Sequence, residues 1–263
     1  MVEASEAAES GEESKSDSSG TDIRAVSRVA QILALFSPTR PSVTSTTVAT
    51  QLGMNRTTAY RYCMSLMAAE LLERTDNGEF TPGKILMQLG AFAIGRREIL
   101  RVAPPHMRAL ATATRATAVL SLWGTTGPVV SAVADDTQRD VLVTVRVGTH
   151  LHMNTAQAKI FYAYHPDQLY IGQLLANLPQ PEHQQVLSDI TDIRRNGYAT
   201  AVNKRGIAII AAPIFDGQGL SAALAVLSTR DVLSTHADAV EVNALVSTAH
   251  DITKEMGGTT PRD

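Results

Sequence analysis

The chain has 263 residues with a formal net charge of −3, 44% of them hydrophobic and 19% charged, enough apolar material for one large core or two small ones. Its single cysteine, Cys63, excludes an internal disulfide and any paired-cysteine zinc site, and fits a reducing, cytoplasmic setting. No apolar stretch follows a basic N-terminus, and the longest uncharged run, 116–134, is interrupted by Gly124-Thr125-Thr126-Gly127-Pro128, so neither a secretory signal nor a membrane span is expected.

The first twenty residues carry Glu3, Glu6, Glu9, Glu12, Glu13 and Asp17 against Lys15 alone, about −5, which leaves about +2 on the rest. With Val2 as its one β-branched anchor, this segment buries too little to offset the entropy of ordering. A disordered, solubilising acidic tail over 1–21 is expected.

From Arg24 the pattern turns helical, with Val26, Val29, Ala30, Leu33 and Phe36 at three- and four-residue steps until Pro38 and Pro41. Thr44 predicts the N-cap of a second helix that turns Val48, Ala49 and Leu52 inward and stops at Gly53, where a left-handed residue is needed. Asn55 predicts the cap of a third. Its inward face is Ala59, Cys63, Leu66 and Met67; its other face carries Arg56, Thr57, Tyr60, Arg61 and Met64.

Two short extended runs, 71–75 and 79–81, flank Asp76-Asn77-Gly78, a strong hairpin signal. Three helices and a hairpin in about sixty residues is the order of a winged helix-turn-helix, placed at 22–82. An apolar helix is expected from Lys84 to about Arg101, ended by Pro104-Pro105, so 83–103 reads as a linker helix with the domain change near residue 95.

Beyond it the rhythm changes. Strands are expected at 118–123, 129–134 and 141–147, helices near 155–164, 166–176 and 182–195. Two further strands at 206–215 and 220–228 meet at the turn 216–219, and a last amphipathic helix runs from about His236 to Met256. Strands, helices, then strands predict an α+β domain with a mostly antiparallel sheet over 104–256, and a C-terminal tail from 257.

Three stretches carry a resemblance: Arg24 to Phe36, Leu52 to Arg61, and Ile193-Arg-Arg-Asn-Gly-Tyr198 followed by Gly206-Ile-Ala-Ile-Ile-Ala-Ala-Pro-Ile-Phe-Asp216. Over about residues 24–256 the chain resembles the IclR family of bacterial transcriptional regulators. The segment 36–44 looks like that of its β-ketoadipate, aromatic-catabolism subgroup. The resemblance implies a GAF-like effector domain, dimers or tetramers, and control of a catabolic operon. Two departures stand out: no glutamate lies near Thr47, so the second helix lacks a capping box, and Ala158 stands where the family's Thr/Ser-x-x-Gly-Lys segment carries glycine.

The candidate DNA contacts are Arg56, Thr57, Thr58 and Arg61, on a face of low apolar content close to the start of a helix. Amides there suit phosphate, hydroxyls suit the backbone, and arginine suits base edges. Thr44 and Asn55 join them at helix starts, and Arg24 and Arg28 lie on the first helix. Tyr60 either stacks on a sugar or packs on the wing; Arg74 reaches phosphate or the minor groove, beside the opposing Glu73, Asp76 and Glu79.

For the effector, the resemblance places Ile207, Ile209, Ala225 and Leu227 as lining strand positions, and Thr155 and Ala156 at a helix start. All four strand positions are aliphatic, which disfavours a compact dianion and suits an aromatic or small organic acid. Arg146 or His152 is then placed to hold its carboxylate.

No cofactor is expected. His150 and His152 amount to half a metal site without a third ligand, and neither a G-x-S-x-G elbow nor a phosphate loop occurs, so catalysis is not expected. The expected partners are a double-stranded DNA operator, a small-molecule effector, and one or three further copies of the chain. The competing reading is a small-molecule-binding sensor or enzyme whose N-terminal domain serves protein contacts.

Overall fold

The computed structural model describes residues 23–125, 127–135 and 143–261. The acidic tail therefore lies outside the described residues.

Helix α1 (Arg24–Leu33) leads into α2 (Ser45–Leu52) and α3 (Arg56–Ala68), followed by the hairpin of β1 (Leu72–Arg74) and β2 (Phe80–Pro82). Local chemistry sets the boundaries. The Thr44 hydroxyl accepts from the Thr47 amide at 3.0 Å and meets the Thr47 hydroxyl at 2.9 Å; a threonine is too short to reach back to the cap amide as glutamate does, so hydroxyl pairs with hydroxyl. Gly53 ends α2 at φ +62°, where Cβ sterics disfavour other residues. Asn55 caps α3 by accepting from Thr58 at 2.7 Å.

Ile32, Val43, Val48, Ala59, Cys63, Leu66, Leu72 and Phe80 form the core of this unit, each large aliphatic or aromatic side chain stabilising it by about 1.5–3 kcal/mol. Burial pushes the Cys63 thiol above its ordinary value, which keeps it an inert core group. Val26 and Ala30, expected inward, are exposed, and Ile32 is the buried residue of α1. The helix touches the domain along 29, 32 and 33, and its first turn overhangs.

The apolar stretch after the wing is two helices rather than one: α4 (Lys84–Gly95) and α5 (Ile99–Thr114), with Pro104 and Pro105 inside α5. A proline within a helix costs about 3 kcal/mol. Here Ile99, Val102, Ala103, Met107, Leu110 and Ala111 all bury against the C-terminal sheet, which offsets that cost several times over. The chain turns instead at 96–98.

The C-terminal sheet is antiparallel, in the order β4-β3-β7-β6-β5. Its strands are β3 (Thr117–Trp123), β4 (Pro128–Ala134), β5 (Ala199–Val202), β6 (Ile207–Asp216) and β7 (Gly219–Thr229). Between β4 and β5 run α6 (Ala156–Tyr164), α7 (Gln168–Ala176) and α8 (Gln180–Asn196); α9 (Val240–Glu255) closes the domain. One sheet face packs on α5 and α9, the other on α6 and its neighbours.

Three sequence expectations need correction. Residues 143–147 form no strand, and 141–142 lie outside the described residues. Thr117 donates its hydroxyl to the Val143 carbonyl at 3.1 Å, and Val143 and Val145 lay their side chains on the sheet surface, so the segment covers a face rather than extending an edge. Strand β5 went unforeseen, being only four residues of ordinary polarity after a glycine. The tail from 257 is also anchored where it begins: Gly257 bridges to Asp216, and a Cβ on Gly258 would stand 2.4 Å from the Phe215 carbonyl oxygen.

Candidate functional site

Arg56, Thr57, Tyr60 and Arg61 are exposed along one side of α3, with Thr58 half-buried. The first turn of α3 contains no acidic residue, so the partial positive charge of its N-terminus stands uncompensated. The other predicted contacts are partly committed within the domain. The Thr44 hydroxyl and the Asn55 side-chain oxygen serve as caps. Arg28 donates to Gln31 at 2.9 Å and to the Leu52 carbonyl at 3.4 Å, while Arg24 is exposed at the start of α1.

On the wing, the turn closes through Thr75 and Glu79 with Gly78 at φ +80°. The exposed Arg74 extends its guanidinium over Gly78, Nη2 lying 3.4 Å from where a Cβ would stand. Glu79 is engaged by the Ser42 hydroxyl. That leaves Asp76 as the exposed acid beside Arg74.

In the C-terminal domain, register puts the four predicted strand residues on one surface. Ile209 pairs with Leu227, Ala211 with Ala225, and Ala225 with Val119; side chains two residues apart on a strand share a face, so Ile207, Ile209, Ala225 and Leu227 lie together. Val119 and Val130 pack beside Leu227 and Ile209, and α6 lies across this same side of the sheet. Thr155 caps α6 by accepting from Ala158 at 3.3 Å, and Ala156 is buried behind it.

The two residues expected to hold a carboxylate are placed elsewhere. Arg146 is exposed and directs Nη1 to the Pro38 carbonyl at 3.5 Å. His152, also exposed, lines a cavity of about 670 Å³ between the start of α6 and α8, with Met153, Lys159, Leu178, Val186 and Asp189. Ile207, Ile209, Ala225 and Leu227 are not among its walls. Lys159 and Asp189 form a largely buried ion pair of 2.6 Å at this cavity.

Two polar residues on the α6 side escaped sequence reasoning. Ser121 and Gln157 are 0% and 2% exposed, and Ser121 Oγ and Gln157 Oε1 have no hydrogen-bond partner. An unpaired buried polar atom costs about 1–3 kcal/mol. The available signal was slight: one serine within the strand Thr-Ala-Val-Leu-Ser-Leu-Trp, and one amide between Ala156 and Ala158. Nearby, Trp123 packs on Phe161, Tyr162, His165 and Tyr170, with ring centroids 5.2–6.5 Å apart. The Tyr162 hydroxyl donates to Met153 Sδ at 2.9 Å, and burial, with Tyr170 beside it, holds its acidity well below that of an ordinary phenol.

Among the described residues no group of three His, Cys, Asp or Glu side chains could hold a metal ion, and no helix is long and apolar enough to cross a membrane.

No curated protein matches the chain. Among solved structures, an IclR-type regulator of Silicibacter sp. TM1040 superposes with a TM-score of 0.80 at 22% identity, covering 90% of this chain and 98% of that one. Pseudomonas aeruginosa HmgR gives 0.66 at 21%, covering 89% and 97%. An IclR homologue of Microbacterium hydrocarbonoxydans, solved with 4-hydroxybenzoate, gives 0.70 at 20%, covering 88% and 98%. At these identities the likeness shows the fold. The family itself is shown by two family models, the IclR helix-turn-helix domain over residues 25–76 and the bacterial transcriptional regulator IclR C-terminal domain over 91–254. The chain belongs to the IclR family of bacterial transcriptional regulators, and is a DNA-binding regulator with an effector domain rather than an enzyme.

Proposed function

We propose that the protein represses a catabolic operon in the cytoplasm, that it binds its operator as a dimer, and that its effector is an aromatic or small organic acid held between α6 and the sheet. The reading places DNA contacts along α3 and on Arg74, and makes α4 the link between a DNA-binding unit ending near residue 82 and an effector domain. The observation that carries the effector class is the sheet surface itself. Ile207, Ile209, Ala225 and Leu227 present only aliphatic groups, with Val119 and Val130 beside them. Stripping a two- or three-carbon dianion of its water against such a wall costs several kcal/mol without partners, whereas a flat ring gains from the same contact. The Microbacterium relative that carries 4-hydroxybenzoate is in keeping with this class.

A protein that reads two half-sites is sensitive to their spacing. An effector that changes the relative placement of two DNA-binding units therefore changes operator affinity by its differential affinity for the two arrangements.

Calorimetry tests the effector class, with aromatic acids in one arm and glyoxylate and pyruvate in the other. An aromatic acid is expected to bind and to alter the gel shift on the chain's own upstream region; tight glyoxylate or pyruvate binding with no aromatic ligand registering overturns the reading. A strain lacking the gene should transcribe the neighbouring operon without inducer, and loss of that transcription would make the protein an activator.

Arg74→Ala gives a separate expectation on the same gel shift. Because Arg74 stands at the end of β1 beside the wing turn rather than at the start of α3, its contact is assigned to backbone. Removing it should weaken specific and nonspecific DNA alike and lower the slope of log affinity against log salt by about 1. A loss confined to the specific site would instead make Arg74 a base-reading residue.

A further inference from the structure

Ser121 Oγ and Gln157 Oε1 lie on facing surfaces. Ser121 is two residues before Trp123 on β3 and so shares its side of the sheet. Gln157 is one turn before Phe161 on α6 and so shares its side of the helix. Phe161 and Trp123 are in contact, with centroids 5.2 Å apart, which brings the two surfaces together. Around Ser121 the neighbouring strands place Val130 and Ala223, and neither offers a polar side-chain atom. Both orphaned atoms therefore lie on the α6 side of the sheet, where the effector is placed above, with Val130 common to the surroundings of Ser121 and of Leu227.

We propose that Ser121 and Gln157 read a hydroxyl group on the effector, the Ser121 hydroxyl donating to the ligand oxygen and the ligand O–H donating to Gln157 Oε1. This rests on the effector site proposed above and names the chemistry it selects. A carboxylate has no proton to give Oε1 and would set two acceptors against each other. An ammonium would be buried here without a counter-charge, which is costlier still. A neutral hydroxyl both donates and accepts, so it satisfies Ser121 Oγ and Gln157 Oε1 at once. The carboxyl end of such a ligand then lies away from this pair, and the group selected here is the phenolic or alcoholic one. A site that hydrogen-bonds a substrate hydroxyl rejects the analogue lacking it far more strongly than an apolar wall rejects a methylene.

The test uses the full-length protein and two probe pairs, 4-hydroxybenzoate with benzoate and 4-hydroxyphenylacetate with phenylacetate. Binding is followed by calorimetry and by emission of the sole tryptophan, Trp123, which stands beside Ser121 on the strand. The hydroxylated member of at least one pair is expected to bind at least tenfold tighter. Ser121→Ala and Gln157→Met should each bring that ratio towards one. The ligand-free Tm of both variants should hold or rise, since replacing an unpaired buried polar atom by an apolar one removes a desolvation cost.

Equal affinity within both pairs, or a ratio that survives both substitutions, overturns the inference while leaving the aromatic effector in place. A fall of several degrees in the ligand-free Tm of both variants also overturns it, because the two atoms would then be partnered by enclosed water. Failure of every aromatic probe alongside binding of glyoxylate or pyruvate overturns the effector reading beneath it as well.

Discussion

Replacing Arg56 and Arg61 together by alanine is expected to cost roughly 10²–10³-fold in operator affinity, with little change in thermal stability. Both side chains are exposed, whereas Ala59, Cys63 and Leu66 carry the packing of α3, so their loss leaves the core intact. A good arginine contact to a guanine edge is worth about 1–3 kcal/mol, and each 1.4 kcal/mol is a factor of ten. The two substitutions should also differ from Arg74→Ala in kind. An arginine on a base edge gives sequence preference, so Arg61→Ala should relax the preference at one position of the half-site, whereas Arg74→Ala should lower affinity uniformly. Electrophoretic titration against the operator and against single-base variants separates the two. Unchanged operator affinity in the double variant would remove α3 from the DNA interface.

Converting Leu89 and Phe92 to glutamate is expected to shift the protein to a monomer by sedimentation at micromolar concentration and to lower operator affinity by 10² or more. Among the described residues, no side chain of helix α4 is buried. Met87, Leu89, Phe92 and Ile94 are 72, 58, 63 and 58% exposed, and between Lys84 and Arg96 no side chain carries a charge. A helix apolar on more than one face and left mostly exposed by the described residues of its own chain is normally buried against a partner, and a second copy joined by two-fold symmetry is the simplest partner. The loss of affinity follows from the link rather than from any lost DNA contact. Two joined DNA-binding units see each other at millimolar effective concentration, and separated ones do not. Because neither residue supports the core, the melting curve of the monomer should stay cooperative. A wild-type protein that sediments as a monomer, or a variant that dimerises and binds as before, rules out α4 as the interface.

What the amino-acid order determined by itself is local and chemical. Thr44 and Asn55 cap helices because a short side-chain oxygen satisfies an amide that the helix leaves open. Gly53 stops α2 and Gly78 turns the wing because each adopts a positive φ at no steric cost. The near-continuous apolar runs within 117–134 and 207–229 read as strands because a sheet buried on both faces needs apolar side chains in both directions. From those features the winged helix, the α+β second half and the arginine-bearing face of α3 were legible, since caps, turns and periodicity act over fewer than about seven residues.

Tertiary structure decided what depends on distant partners. Pro104-Pro105 looked like a helix end, but burial of Ile99, Val102 and Met107 on the sheet outweighs the lost hydrogen bonds. Residues 143–147 have the composition of a strand, yet Val143 and Val145 pack against a sheet face and the segment stays irregular. Arg146 and His152 sit close to Thr155 in sequence, but the fold turns one to Pro38 and the other into the cavity beside α8. Ser121 and Gln157 are 36 positions apart, the first in a strand without a motif and the second at a variable position of the Thr155–Lys159 segment. Only the packing of α6 on the sheet buries both and leaves them without partners, because burial and hydrogen-bond satisfaction belong to the whole fold and not to any stretch of chain.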